Sequence, residues 1–299
     1  MFSIEKDGTT SDHLVYYSSH SSFVEAALES LRRFRYEPVT VDGTPVTVHG
    51  VSYRFLFQLD INGADNQRRG VIADSHLSKL RVQADGGAAQ DQYLFAYLSQ
   101  VAQSYVGEEQ LSKSNRSNPN GWLMKAARQG HGDASFSLGR NTLYGEGCEI
   151  DRQKSYYWLW QSANKGVIGA QYLLALELFS GAHFTQDSEQ ALFWLREAAK
   201  QHPTARLRYA WVLSTHPDEE VRDGTLAHSL WSSVDERYFD RQRYYMTAAA
   251  VAAEQGNFKQ AVLWQEKVIE DAQVLQLPLT QREAQLAMYE AGKPLREMP

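Results

Sequence analysis

Apolar and polar positions follow two different patterns along this chain. Residues 39–48 alternate between the two classes around Asp42-Gly43, which predicts a β-hairpin. From residue 88 onward the apolar positions recur every three or four residues, the spacing of an amphipathic helix; the first such set is Leu94, Tyr97, Leu98, Val101 and Tyr105. The pattern therefore predicts an α+β N-terminal domain followed by an all-α remainder.

The N-terminal domain is predicted to begin with a strand that ends in the Asp7-Gly8 turn. A second extended run covers residues 13–17. A helix then starts near Ser21 and ends before Pro38, because the residue before a proline avoids the helical conformation. After the hairpin, residues 53–59 continue the extended structure.

Beyond this domain, several residues return at a fixed interval. Trp122, Trp158 and Trp194 are spaced 36 residues apart, and Gly145 and Gly181 keep the same spacing. Unrelated sequence does not hold several such positions in register, so this segment is a repeat array. Repeats of this length consist of two helices that stack into a solenoid, and solenoids mostly bind other proteins.

The predicted organisation has three parts. Residues 1–61 form the α+β domain, residues 62–87 are a polar, glycine-containing linker with a short helix over 71–82, and residues 88–299 form the solenoid. The solenoid degrades towards both ends, where we expect the first helix of an atypical opening repeat, a later helix pair and a capping helix, over residues 88–110, 241–272 and 283–297.

The best-formed repeat carries a set of recognisable residues. Leu138-Gly139 lies in its first helix, Gly145-Glu-Gly147 supplies the turn, and Tyr157-Trp158 lies in the second helix. This arrangement resembles the Sel-one-like repeat, a member of the wider tetratricopeptide-like group, with Cys148 where that family usually has a valine. The resemblance implies a helical solenoid that scaffolds other proteins.

Three stretches of the N-terminal domain carry a second resemblance. They are residues 23–38, the turn Asp42-Gly-Thr-Pro-Val46 and a strand that ends in Phe55-Leu-Phe57. Together they resemble the carboxyl-terminal domain of TonB-family energy transducers, which implies a periplasmic location. The opening segment of that family, its transmembrane anchor and its proline-rich spacer do not precede these stretches, so Met1 falls inside the domain. Two interpretations follow: a start that lacks a signal peptide and the first part of the domain, or a shortened module kept for strand-addition binding.

Composition and motifs narrow the classes of function. The net charge of −6 and the pI near 5.9 disfavour general nucleic-acid binding, which needs clustered basic residues. No stretch reaches the ~18 consecutive apolar residues of a membrane span. Cys148 is the single cysteine, so a disulfide within the chain and a cysteine-based zinc site are excluded. Because no nucleotide-binding loop, zinc-protease motif or nucleophile elbow occurs, we expect no enzyme activity, cofactor or metal.

The candidate partner-binding residues follow from the repeat pattern. The first helix of each pair lines the inner surface of a solenoid, and the positions counted from the Leu-Gly residues are Phe136, Arg140, Tyr172, Leu176, Leu207 and Trp211. The alternative is that the aromatic residues among them pack between repeats.

The main functional hypothesis is a non-enzymatic scaffold or adaptor of the bacterial cell envelope that binds proteins through this groove. The first alternative is an accessory protein of a TonB-dependent transport system, in which the N-terminal module docks a receptor peptide by strand addition. The second alternative, a hydrolase that uses the repeats as substrate arms, is disfavoured by the absence of catalytic motifs.

Overall fold

The computed structural model describes residues 2–11, 27–28, 30–31, 33–38, 40–41, 43–45, 48–51, 65–234, 236, 241–274 and 278–297. The chain divides into two compact units, residues 1–151 and residues 152–299. This division falls inside the segment expected to be one solenoid, and each unit is described separately below.

A small antiparallel sheet begins unit 1. Strand β1 (Phe2–Ile4) lies between β2 (Thr10–Ser11) and β5 (Val48–Val51). The predicted turn between the first two strands is present: the carboxylate of Asp7 accepts a hydrogen bond from the backbone N–H of Thr9 at 2.9 Å. Gly8 is required in this turn, since its φ is +80° and a Cβ there would lie 2.0 Å from the carbonyl oxygen of Tyr36.

The predicted hairpin is also present, as β3 (Thr40–Val41) paired antiparallel with β4 (Thr44–Pro45). The described residues between 27 and 33 are helical, and Leu31 from this segment packs with Ile4 to form a small core. The prediction of an α+β N-terminal domain is thus confirmed. The expected extended runs over residues 13–17 and 53–59 and the expected helix start over 21–26 lie outside the described residues.

Four α-helices follow in unit 1, each packed against the next. They are α1 (Asp65–Asp85), α2 (Ala89–Val106), α3 (Pro119–Arg128) and α4 (Gly132–Tyr144), with a 3₁₀ turn at Glu108–Gln110. Helix α1 occupies most of the segment expected to be a linker and extends well beyond the short helix expected at 71–82. Its side chains Leu77 and Ala84 are buried, so this segment is part of the helical packing.

Polar contacts also hold α1 in place. The side-chain amide nitrogen of Asn115 lies 2.9 Å from the carbonyl oxygen of Asp74, 2.8 Å from its carboxylate and 2.9 Å from the hydroxyl of Ser78. Asn115 is fully buried, at 0% exposed, so these hydrogen bonds are shielded from water.

Unit 2 consists of helices in its described residues, and each packs against the next in sequence. They are α5 (Arg152–Asn164), α6 (Ile168–Ser180), α7 (Ser188–Ala199), α8 (Pro203–Thr215), α9 (Gly224–Ser232), α10 (Arg241–Glu254), α11 (Phe258–Val274) and α12 (Thr280–Glu290). Helix α8 also packs against α10, so the first helices of these two successive pairs are neighbours. The predicted helical-repeat solenoid is confirmed.

The repeat residues have the structural roles that their spacing implied. Gly145 and Gly181 end α4 and α6 in the left-handed conformation, with φ of 76° and 66°. Asp187 caps α7, because its carboxylate accepts a hydrogen bond from the backbone N–H of Gln190 at 3.0 Å. The expected capping helix is displaced: α12 ends at Glu290, and residues 293–297 form an irregular segment that we call the C-terminal tail.

Candidate partner-binding surface

The first helices of unit 2 carry a partly accessible face on α6. Tyr172 and Leu176 are half-buried and lie one turn apart, which places them on the same side of the helix. The ring of Tyr172 also contacts the imidazole of His202, at a centroid distance of 6.1 Å. Burial, with a smaller contribution from the charge of Arg206, lowers the pKa of His202, so this imidazole is neutral at neutral pH.

An arginine on α8 extends this face. Arg208 is half-buried, and its Nε is buried without a hydrogen-bond partner in the described part of the chain. Burial lowers the pKa of its guanidinium; Arg243 on α10 lowers it further, whereas Tyr172 and Glu297 act in the opposite direction. Tyr172, Leu176, Arg208 and Arg243 together define what we call the first-helix face.

The C-terminal tail covers the part of α8 that follows Arg208. The indole N–H of Trp211 donates to the carboxylate of Glu297 at 3.2 Å, and the backbone N–H of Glu297 donates to the carbonyl of Thr215 at 2.9 Å. Leu295 packs in the same buried cluster as Trp211, which is 8% exposed. The tail therefore lies against α8 through both backbone and side-chain contacts.

An ion pair with the end of α10 fixes the tail further. The carboxylate of Glu254, at the end of α10, lies 2.6 Å from Arg296 and 3.1 Å from Arg222. The guanidinium of Arg296 also donates to the carbonyl of Ser214 at 3.1 Å. All three ion-pairing side chains are less than one-third exposed, so solvent screens these contacts only in part.

The six residues expected to line the groove have different environments. Leu207 is fully buried, at 0% exposed, and Trp211 is buried beneath the tail, so neither side chain is accessible in this structure. Tyr172 and Leu176 are half-buried and accessible. In unit 1, Phe136 is half-buried, and the exposed Arg140 pairs with Glu146 at 3.2 Å.

The repeat pattern missed three features of this surface: Arg208, Arg243 and the tail. Arg208 is adjacent to the expected Leu207, and only the rotation of α8 in the folded unit decides which of the two is accessible. The tail was missed because residues 283–297 were expected to be one helix, although Gly292, with φ of 68°, and Pro294 both follow the observed helix end. Those two residues are the sequence signal that identifies the break.

Other kinds of site were searched in the described residues. These residues contain no group of three or more His, Cys, Asp and Glu side chains placed to hold a metal ion. Within the same part of the chain, every helix is too short or too polar to cross a membrane.

Comparison with protein families identifies two segments. Residues 132–167 and 168–203 each match the Sel1 repeat; the first segment contains helices α4 and α5, and the second contains α6 and α7. Residues 1–59 match the C-terminal domain of the Gram-negative bacterial TonB protein. Both resemblances drawn from the sequence are thus confirmed.

Two solved structures are similar to this chain to different degrees. A Sel1 repeat protein from Oxalobacter formigenes is 19% identical, with a TM-score of 0.52 over 66% of this chain and 79% of that chain. A protective antigen from uropathogenic Escherichia coli strains that displays an SLR fold is 18% identical, with a TM-score of 0.40 over 79% of this chain and 66% of that chain. No curated protein sequence matches the chain significantly. At 19% identity, the first comparison establishes a shared helical-repeat fold and no shared function.

Proposed function

We propose that this chain, which carries two Sel1 repeats, is a non-enzymatic scaffold that binds other proteins through the first-helix face of unit 2. The Sel1 repeat fold is generally a protein–protein interaction scaffold and is typically non-catalytic, and repeat scaffolds bind other proteins. In unit 1, Phe136 and Arg140 are proposed as additional contacts.

The observation that carries this proposal is the way in which the C-terminal tail lies on α8. The tail has no regular secondary structure, and it hydrogen-bonds to the carbonyls of Ser214 and Thr215 while Leu295 fills an apolar position. One first helix of unit 2 therefore already accommodates an extended segment. Tyr172 and Leu176 are partly accessible on the same set of first helices and offer apolar area for a second one.

Site-specific crosslinking in the native host tests this proposal. A photoreactive benzophenone amino acid would replace Leu176, and a matched variant would carry it in place of Leu263, which is 53% exposed on the second helix α11. We expect a defined protein adduct from position 176 and none from position 263. Absence of an adduct at 176, or an identical adduct at both positions, would contradict the proposal.

The proposed location is the periplasm of the cell envelope. This part of the proposal is supported by the match of residues 1–59 to the TonB C-terminal domain, a family of envelope proteins. Fractionation of the host with antibodies against the chain tests it. We expect release with periplasmic marker proteins, and release with cytoplasmic markers alone would refute this location.

A second candidate role is that of an accessory protein in a TonB-dependent transport system. It is favoured by the same match and by the sheet order, since β5 pairs on one side with β1 and lies at the sheet edge among the described residues. Such an edge can accept an extended peptide by strand addition. Co-purification of a TonB-dependent receptor that is lost on deletion of residues 1–61 would support this role, and unchanged recovery of the receptor would exclude it.

A further inference from the structure

Helix α8 ends differently from the first helices of the two Sel1 repeats. Helices α4 and α6 end at Gly145 and Gly181, both in the left-handed conformation, whereas His216 follows α8 with φ of −55°. The ends of α6 and α8 can still be aligned, because the carbonyls of Leu178 and Leu213 each accept a hydrogen bond at 3.0 Å from the backbone N–H of the aspartate that caps the next helix. The carbonyls that follow these two are therefore equivalent.

The equivalent carbonyls receive their hydrogen bonds from different parts of the chain. In α6 the carbonyl of Phe179 accepts from the side-chain amide of Gln186 at 3.0 Å, within the same repeat. In α8 the carbonyl of Ser214 accepts from Arg296 at 3.1 Å, and the carbonyl after it accepts from the backbone N–H of Glu297 at 2.9 Å. The end of α8 thus presents acceptors that an extended segment from outside the repeat fills.

The side of α8 that the tail covers continues the first-helix face. Trp211 follows Arg208 by three residues, so the two side chains lie on the same side of the helix. Burial lowers the pKa of the Arg208 guanidinium, and Tyr172 and Glu297 both act against this shift, so both lie near Arg208. A partner segment that followed this face from Tyr172 towards Trp211 would therefore meet the tail.

Few buried contacts hold the tail. Within residues 293–297 Leu295 is buried, Lys293 is exposed and the other three are half-buried. Such a segment opens locally at a lower free-energy cost than the interior of the unit. Helix α12, which precedes the tail, is anchored by Tyr289, which is 1% exposed. We therefore expect the tail to leave α8 while α12 stays packed.

We propose that the C-terminal tail is an autoinhibitory segment, which occupies a site around Trp211 that an extended segment of the partner protein takes when the tail is displaced. The partner segment has the chemistry that the tail shows there: a leucine-like side chain in the apolar position of Leu295, followed by a backbone N–H that donates to the end of α8. This inference rests on the proposed function and deepens it by naming the regulation of the same surface.

A peptide with the sequence of the tail, Lys-Pro-Leu-Arg-Glu, tests whether α8 binds such a segment in trans. The peptide carries fluorescein at its N-terminus and an amide at its C-terminus, and fluorescence anisotropy measures its affinity for the full chain. Leu295→Asp releases the tail, so this variant should bind the peptide at least tenfold more tightly than wild type, in which the tail competes. Lys293→Gln is the matched control, since Lys293 is exposed in the same segment, and it should bind as weakly as wild type.

A second variant covers the case in which Leu295→Asp loses helicity, as followed by circular dichroism. Arg296→Gln then takes its place, because it removes the contacts with Glu254 and Ser214 and leaves the apolar cluster intact. A peptide with aspartate in place of its leucine should bind to neither variant.

The partner protein decides between an autoinhibitory tail and a purely structural one. Once the crosslink from position 176 has identified that partner, its affinity for the full chain should rise at least tenfold on release of the tail, and the tail peptide should lower it again. Equal peptide affinity in wild type and the released variant, no peptide binding to either, or a partner affinity that does not rise would overturn the inference. If this happens while the crosslink still forms, the tail is structural and the scaffold function stands. If the crosslink is absent, the proposed function fails with it.

Discussion

Leu174 and Leu176 on α6 offer a matched test of which side of the first helices is interior and which is accessible. Leu174 is fully buried, at 0% exposed, whereas Leu176 is half-buried. Leu174→Ala removes three buried carbons at about 0.8 kcal/mol each, or about 2.4 kcal/mol. The cavity left behind raises the expected loss to about 3–4 kcal/mol. Leu176→Ala removes partly hydrated carbons and leaves no closed cavity, so we expect a loss of about 1 kcal/mol.

Urea denaturation followed by far-ultraviolet circular dichroism measures both losses, and thermal unfolding provides a second measure. A change of 1 kcal/mol moves the midpoint by about 2–4 °C in a unit of this size, so the expected loss of about 3–4 kcal/mol for Leu174→Ala should lower it by about 6–16 °C. Equal losses in the two variants, or a loss below about 1 kcal/mol for Leu174→Ala, would refute the assignment of the interior side of α6. Affinity for the partner that the crosslink identifies should show the opposite order, with Leu176→Ala as the variant that weakens binding.

Three further predictions concern the turns and buried titratable groups. Gly181→Ala should lower the free energy of unfolding by about 1–2 kcal/mol, because φ is +66° and the added Cβ would lie 3.3 Å from Gln186. Gly166→Ala, at a φ of +81° but with no atom near the added Cβ, should lower it less. Urea denaturation measures both changes. Burial lowers the pKa of His131 below its value in the unfolded chain. The unfolded chain therefore takes up a proton at this residue first, and unit 1 should lose stability as the pH falls below about 6.5. His131→Asn keeps a helix-capping residue but has no titrating group, so it should reduce this pH dependence in unfolding measured at successive pH values. Burial raises the pKa of Tyr289, so its contribution to stability is complete below about pH 10 and is lost above it, and Tyr289→Phe should reduce the alkaline loss in the same experiment.

The periodic part of the fold was predictable because each repeat residue has a local structural role. Gly145 and Gly181 each end a helix with a positive φ. Because both Sel1 repeats need this turn, the glycine returns at the same position in each. The hairpin around residues 42–43 was predictable for the same reason, since its turn chemistry is local.

Helix α1 was less predictable because long-range contacts stabilise it. Its opening residues, from Asp65, are polar and include Gly70, which is typical of a loop. What holds the helix is a small number of buried apolar side chains, such as Leu77, and the amide of Asn115, which lies 41 residues after Asp74 in sequence. The sequence near α1 alone therefore cannot predict that contact.

The candidate surface was predictable only to within about one residue on each helix. The repeat pattern selected α6 and α8, but it could not place Leu207 inside and Arg208 at the accessible face, because this choice depends on how α8 packs against α10. The burial of Trp211 depends on the tail, which returns from 86 residues later in the chain. Contacts of this kind follow from the tertiary structure and not from the repeat.

The central claim is that the first-helix face of unit 2 binds a protein partner. The most direct measurement is the equilibrium affinity of the full chain for the purified partner identified by the crosslink from position 176, compared between wild type, Leu176→Glu and Leu263→Glu. The account predicts at least a tenfold weaker affinity for Leu176→Glu, with helicity unchanged, and wild-type affinity for Leu263→Glu. Wild-type affinity for Leu176→Glu, or an equal loss in both variants, would contradict it.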